Sequence, residues 1–499
     1  MVDKKRVILN ASSTVAQVII TSCLYFFLYK LLLNKVGASM LGVWSLIVTT
    51  SSIANLANFG ITSGLVKFVA EYSVDKEKDK GHLQELVFTS LVTLVVFYAI
   101  VTILISLLAT VILKIVITAE YLQIGKELLP YSLLCLFVNG CGGVFVSVLE
   151  GFQKNYIRNI IYSVGSLVFL LISWILIDNY QLKAVVFAQV IQSLFIFLLC
   201  MFFCLRQIGT NLFNSWKWNS NIFKSIFNYG IKFQFISVSQ MLYDPITKTL
   251  LGKYGGLQVV GFYEMASRLV WQVRGLIVNA NQIVIPIVAS ASKTNKNAIK
   301  EIYQKSLSII LMVAIPLMCF IVLFANIISY YWIGHTEIAF TLSLYLLCAS
   351  MFINIISGPA YFGCLGEGKL NFVLVVHISM AIINVILGFI LGHLIFKYGV
   401  IWSWSISISA GSITTIFLYQ KLHGISYFSS FTWKDNFLLL IAFLICGFII
   451  GIYHYFLLTI INSIILSCST FVLIGFIIFF FKRDMIMQLL NLKNNRTVI

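Results

Sequence analysis

The sequence predicts an all-α polytopic membrane protein with about fourteen transmembrane helices, built as two parallel six-helix lobes followed by two further helices. Three observations carry this. The first is composition: the 499 residues are 60% hydrophobic and 10% charged, with a mean hydropathy of +0.98. A soluble domain carries about 25% charged residues, so this chain cannot cover a water-facing surface and its solvent is largely lipid. The second is the length of the apolar stretches, which recur near the ~20 residues a helix needs to cross a hydrocarbon core ~30 Å thick. A membrane barrel would show short alternating strands instead. The third is a repeat. YKLLLNKVGASMLGVW (29–44) returns as TKTLLGKYGGLQVVGFY (247–263), with Lys30, Leu32, Leu33, Lys35 and Gly37 falling on Lys248, Leu250, Leu251, Lys253 and Gly255 at an offset of 218. One inserted residue then brings Gly42 onto Gly261 and Trp44 opposite Tyr263.

In chain order the expected spans lie near 8–33, 40–66, 84–113, 127–149, 157–178, 183–205, 226–250, 262–289, 303–327, 338–362, 370–394, 398–420, 436–458 and 461–481. The first is basic at its start but interrupted by Asn10, Ser12, Ser13, Thr14 and Gln17, a pattern of a retained helix rather than a cleaved signal. With the N-terminus in the cytoplasm, 23 of the 34 Lys and Arg residues fall on the cytoplasmic side and 8 outside, leaving Lys232, Arg268 and Arg274 within spans. That bias accounts for most of the net charge of +17 and fixes an even number of spans with both termini cytoplasmic. Ten cysteines are scattered through apolar stretches with no C-x-x-C pair, which reads as small apolar fillers rather than disulfides or metal ligands.

Because spans one and seven match, each repeat holds six helices, and an even number keeps the orientation, as in parallel repeats. LEGFQKNYIRN after span four and LGEGKLNFVLV after span ten align at an offset of 216, with Leu149 on Leu365 and Asn155 on Asn371. The expected organisation is an N-lobe over 1–210, a C-lobe over 211–425, and two last helices with a cytoplasmic tail over 426–499. Two similar bundles facing a central cavity is a transporter's architecture.

Ionisable groups inside spans cost about 2.5–3.5 kcal/mol each and normally face the bundle interior. Span seven places Lys232, Ser237, Gln240, Tyr243, Asp244, Thr247 and Lys248 on one helical face; Asp244 and Lys248 are i, i+4 and can pair, and Pro245 should bend the helix. Span eight carries a stripe of Glu264, Arg268, Gln272, Asn279 and Gln282, with Arg274 on a neighbouring stripe. Structural pairs, Asp244 with Lys248 and Glu264 with Arg268, would satisfy most of these charges. Arg274 has no such partner nearby in sequence and lies roughly 18 Å into its helix, which points to a wet cavity or an anionic ligand. In the first lobe Asn10, Thr14, Gln17 and Thr21 form one polar stripe and Ser51, Asn55, Asn58 and Thr62 another. Interhelical hydrogen bonding and cavity lining account for them equally well. Neutral polar groups on one side and Lys/Arg on the other suit an amphiphile with sugars and a phosphate. GCLGEGKL (363–370) has Leu370 where a nucleotide loop needs Ser or Thr, and no strand precedes it. The six His show no H-E-x-x-H spacing, and DKEKD (75–79) reads as a solvated loop.

NLANFGITSGLVKFVAEY (55–72), GFQKN (151–155), DPITKTLLGKYGGLQVVGFYEMASRLV (244–270) and SGPAYFGCLGEGKLN (357–371) resemble the polysaccharide-biosynthesis exporters of the MOP flippase superfamily, nearest to the O-antigen and capsule repeat-unit flippases. The resemblance implies fourteen helices and two lobes working by alternating access in a bacterial inner (plasma) membrane. The implied cargo is an undecaprenyl-diphosphate-linked oligosaccharide moved from the cytoplasmic to the outer leaflet, with other polysaccharide-assembly proteins as partners, no nucleic acid and no catalysis. Two departures stand out: Asn58 where relatives often carry Asp, and Trp402 where a small Gly is common. On this reading Lys232, Arg268 and Arg274 attract the diphosphate. Gln17, Asn55, Asn58, Gln240, Gln272 and Asn279 line the cavity and contact sugars. Asp244, Glu264 and Lys248 are the candidates for coupling to a proton or sodium ion, and no cofactor is expected. The rival readings are a lipid II flippase, a multidrug or cation antiporter of the same superfamily, and a membrane polysaccharide polymerase or ligase. The last would need a large outer loop, whereas the longest outer linker is about 114–126.

Overall fold

The computed structural model describes residues 4–74, 80–208, 217–241, 243–281, 284, 288, 296–367, 369–426, 433–455 and 459–491. The loop at 75–79, the end of span eight with Gln282, and the C-terminal tail lie outside them, as do the side chains of Lys232, Gln240 and Asn279. The described residues are helical, as lipid requires: with no water in the hydrocarbon, every backbone N–H and C=O has to be satisfied within its own helix. They gather into two compact units, Met1–Glu264 with Val385–Val400, and Met265–Asn384 with Ile401–Ile499.

The first unit contains α1 (Lys4–Ser52), α2 (Ile61–Val74), α3 (Lys80–Leu107), α4 (Ala109–Val116), α5 (Leu122–Gly151), α6 (Asn155–Tyr180), α7 (Leu182–Ile208), α8 (Ser220–Met241), α9 (Tyr243–Gly255) and the start of α10 (Leu257–Asn281). α5 packs against α2, α3 and α7, and α6 lies between α1 and α7. Leu65, Val87, Leu94, Val144, Val148 and Cys200 fill the centre. The second unit contains the rest of α10, then α11 (Lys296–Leu323), α12 (Ala325–Ile333), α13 (Ile338–Ile356), α14 (Gly358–Gly366), most of α15 (Leu370–Leu422), α16 (Trp433–Tyr455) and α17 (Ile460–Asn491). α11 is its hub, touching α13, α16 and α17. Asp435 and Lys482, both buried, form an ion pair that also takes in Ser308, tying the two last helices to α11.

Ten helical segments among the described residues are long and apolar enough to cross a membrane. Eight match one expected span each. Asn371–Leu422 holds two, bent at Phe396, while Ser12–Ser52, bent at Gly37, holds the first expected span and the start of the second, which continues through a 3-10 turn at Ile53–Asn58 into α2. The two expected spans that fail the apolar test, 226–250 and 262–289, are those that carry most of the intramembrane charges. Span seven is described as two segments on either side of residue 242, and Pro245 lies in the second. The share of residues buried identifies the centre of each unit: 72% within Ala119–Gly151 and 61% within Ile338–Gly366, against 11% in Trp433–Tyr453 and 22% in Ile460–Arg483. The two central segments are the fourth helices of the two repeats. Of the ten cysteines, all free, seven are buried.

The duplication is legible in the backbone, and it corrects the register read from matching letters. Gly37 (φ 84°, ψ 168°) bends α1, and Gly256 (φ 80°) separates α9 from α10. Both need the left-handed region, where glycine carries no Cβ penalty. Their offset is 219, so Gly256 rather than Gly255 is the counterpart of Gly37, and the inserted residue precedes the bend. Further on, Gln181 (φ 49°, ψ −128°) and Phe396 (φ 51°, ψ −134°) make the same unusual turn. The turn after each central segment also repeats: the amide of Lys154 donates to the Leu149 carbonyl at 2.8 Å, and that of Lys369 to Cys364 at 2.9 Å. That register is 215, not 216, and places Lys154 on Lys369 and Gly151 on Gly366.

In the first unit the matched segments meet. A Cβ on Gly42 would run into the Leu257 carbonyl, and one on Gly261 into the Ala38 carbonyl. At an offset of 219 Ala38 is the counterpart of Leu257, so these are one contact seen from either repeat, an isologous pair at a small-residue helix crossing.

Candidate functional site

One turn beyond that crossing, the charges of span seven form a cluster. α9 supplies Asp244 and Lys248 one turn apart, as their i, i+4 spacing predicted, and α10 supplies Glu264. The Lys248 ammonium lies 2.6 Å from Asp244 Oδ2 and 2.6 Å from Glu264 Oε2, and donates to Thr49 Oγ1 at 3.1 Å. Tyr29 donates its hydroxyl to Glu264 Oε1 at 2.6 Å, and Ser45 to Oε2 at 3.0 Å. Lys248 and Glu264 are each 5% exposed, whereas Asp244 is half-buried. Removing an ion from water costs several kcal/mol, and only good geometry with further hydrogen bonds offsets it. Here the Glu264 carboxylate receives three donors and the ammonium three acceptors.

The partners Tyr29, Ser45 and Thr49 were missed by the sequence reading. A signal for two of them existed: in the corrected register Ser45 is the counterpart of Glu264 and Thr49 that of Arg268. The expected pair of Asp244 with Lys248 is present, and Glu264, expected to pair with Arg268, lies against Lys248.

In the second unit, α10 carries Arg268, Gln272 and Arg274, all half-buried. Arg274 donates Nε to Asn354 Oδ1 at 2.9 Å, and its guanidinium stands 5.0 Å from the Trp271 ring centre. Asn354 in turn donates Nδ2 to the buried Ser412 at 3.0 Å. The Tyr361 and His377 rings meet edge to face at 5.8 Å, within electrostatic reach of Arg274. Among the described residues no carboxylate approaches Arg274 within salt-bridge distance. A guanidinium cannot shed its proton in a protein, so this helix carries a positive charge answered by an amide and an aromatic face.

The neutral candidates of the first lobe divide. Asn10 and Thr14 hold helices together: Asn10 donates to the Gln153 carbonyl at 2.9 Å and accepts from the Tyr156 amide at 3.1 Å, while Thr14 accepts from Asn159 at 3.0 Å. Asn55 accepts a long 3.4 Å bond from Tyr98. Asn58 bonds Thr62 twice, at 2.8 and 3.2 Å. Gln17 is half-buried on α1, where its backbone carbonyl accepts from the Thr21 hydroxyl at 2.8 Å.

Three solved structures share this fold. An inward-facing multidrug resistance MATE family transporter of the MOP superfamily superposes with a TM-score of 0.70 at 15% identity, covering 82% of this chain and 98% of its own. The lipid II flippase MurJ, in an inward closed conformation, gives 0.71 at 15% identity, covering 96% and 100%. A MOP superfamily transporter from Pyrococcus furiosus gives 0.62 at 14% identity, covering 85% and 99%. At these identities the likeness is one of fold. A search of curated proteins finds no match. The model of the family described as polysaccharide biosynthesis protein matches residues 39–335, more than half of the chain. That stretch takes in the isologous glycine pair, the Lys248 cluster apart from Tyr29, and Arg274, and by it this multi-pass membrane protein belongs to the polysaccharide biosynthesis protein family.

Proposed function

We propose that the chain is a flippase carrying an undecaprenyl-diphosphate-linked oligosaccharide repeat unit from the cytoplasmic to the outer leaflet of a bacterial cell membrane, for assembly of a surface polysaccharide. The observation that carries this reading is Arg274: a permanent cation on a membrane helix, answered by no described carboxylate, in a chain whose family builds polysaccharides. A diphosphate supplies the missing negative charge and acceptor oxygens. Arg268 and Lys232 on the neighbouring polar faces would add to the attraction, and Gln272, Gln240, Asn279, Gln17, Asn55 and Asn58 would meet the sugars. The polyprenyl tail stays in the lipid while the lobes alternate access. The chain is then a carrier and not an enzyme, with both termini cytoplasmic. The Lys248 cluster, where two carboxylates meet one ammonium, is where a proton or sodium ion would reset the cycle.

Complementation tests the reading. In a strain lacking its own repeat-unit flippase, the chain should restore surface polymer and clear the lipid-linked intermediate. Arg274→Ala should insert normally and restore none. Full surface polymer with Arg274→Ala would overturn the assignment. Rescue of a strain depleted of its lipid II flippase would redirect it to that cargo, for which the 96% coverage by the lipid II flippase fold gives a specific reason to look.

A further inference from the structure

Arg274 lies 17 residues into α10, about 25 Å at 1.5 Å per residue, too deep to snorkel to the helix start. Three contacts orient its guanidinium. Asn354 accepts from Nε at 2.9 Å. Ser412, 1% exposed, accepts from Asn354 Nδ2 at 3.0 Å. That bond turns the Asn354 amide so that its oxygen, not its nitrogen, faces the arginine. Trp271, one turn earlier, places its ring 5.0 Å from the guanidinium carbon and favours a stacked plane. The Nε edge is thereby fixed, while among the described residues the two terminal Nη groups have no hydrogen-bond partner. An aspartate at 354 would reach the same place and repay part of the cost of burying the cation. Asparagine gives the position without the neutralisation.

We propose that Asn354, oriented by Ser412, is a positioning residue that fixes the Nε edge of Arg274 and leaves its Nη edge, at full positive charge, as the binding site for a phosphate ester. The end-on pair of Nη groups matches two oxygens of one phosphate, the bidentate geometry that makes arginine suited to this ligand. This rests on the reading of Arg274 as the head-group site.

The test uses the full chain in detergent, with farnesyl diphosphate as the probe and export in the complemented strain as a second readout. Asn354→Asp keeps the shape and adds the carboxylate. It should melt at or above the wild-type temperature and lose about 10- to 100-fold in probe affinity, because the added carboxylate neutralises the guanidinium and weakens its charge-assisted hydrogen bonds to the probe. Ser412→Ala, which removes no charge, should lose about 3- to 10-fold. Arg274→Gln should lose binding altogether. If Asn354→Asp fails to accumulate, Asn354→Thr, a neutral residue that retains an oxygen acceptor, should bind better than Asn354→Leu; equal binding by these two overturns the proposal. So does wild-type affinity in Asn354→Asp, and if Arg274→Gln still loses binding in that case, the head-group reading survives and Asn354 is only a packing residue. Wild-type affinity in Arg274→Gln removes both together.

Discussion

Lys248 and Arg274 are both cations on membrane helices, 26 residues apart, and the molecule treats them oppositely. Lys248 is enclosed by two carboxylates and a threonine hydroxyl, and one of those carboxylates is itself held by Tyr29 and Ser45. Arg274 has an asparagine and an indole. The compensation of Lys248 is built into the chain, whereas among the described residues Arg274 meets no carboxylate. The difference teaches that burial of an ion in lipid is not by itself a sign of a binding site. What matters is whether its counter-charge is part of the chain.

The comparison can be broken by deleting each cation in turn. Lys248→Met leaves Glu264 and Asp244 without their ammonium and should destabilise by about 3–5 kcal/mol, as for one partner of a buried pair, read as a fall in unfolding midpoint in detergent. Arg274→Met should leave that midpoint unchanged or higher while export is lost. If the two variants melt alike, the distinction fails. Tyr29→Phe removes one donor from the Glu264 carboxylate and should cost about 1.5–3 kcal/mol, a loss that vanishes in a Glu264→Gln background. Gly42→Ala and Gly261→Ala push a methyl into a backbone carbonyl and should each cost about 1–3 kcal/mol, with similar values because the contact is shared.

The smallest effect concerns His423, beyond the end of α15 and 2.8 Å from Glu367 Oε1. Burial pushes its imidazole below the ordinary value, the Glu367 carboxylate pulls it up, and the Lys369 ammonium pushes it down; the Tyr419 ring lies against it at 4.6 Å. The folded chain therefore binds this proton more weakly than the unfolded one. Stability is complete above about pH 6.5 and declines as the pH falls below it. His423→Asn should flatten the decline in unfolding midpoint between pH 7 and 5.

Hydropathy alone located eleven of the expected spans, and the first half of a twelfth, in helices that are also long and apolar by the fold. The other two were found in sequence despite their charges, because apolar runs flank Asp244 and Glu264. Repeat registers were harder. Gly255 and Gly256 are adjacent, so a letter match could settle on either, and only the positive φ of Gly256 decides between them. The polar stripes show the limit of periodicity: it fixes which residues share a face of α1 but not what stands opposite, and Asn10 and Thr14 turn out to face the chain around α6. Asn354 could not have been found at all, since nothing in sequence joins it to a residue 80 positions earlier.

The isologous contact carries a consequence for descent. Gly42 touches the segment of its own counterpart Gly261, and Ser45 bonds its own counterpart Glu264. In a homodimer of a single six-helix gene, an acid at this position would confront its own copy, two carboxylates within hydrogen-bonding distance across the dyad. Only two non-identical copies can place a small hydroxyl on one side and an acid on the other. The charge cluster is thus the place where the two repeats must differ for their contact to hold.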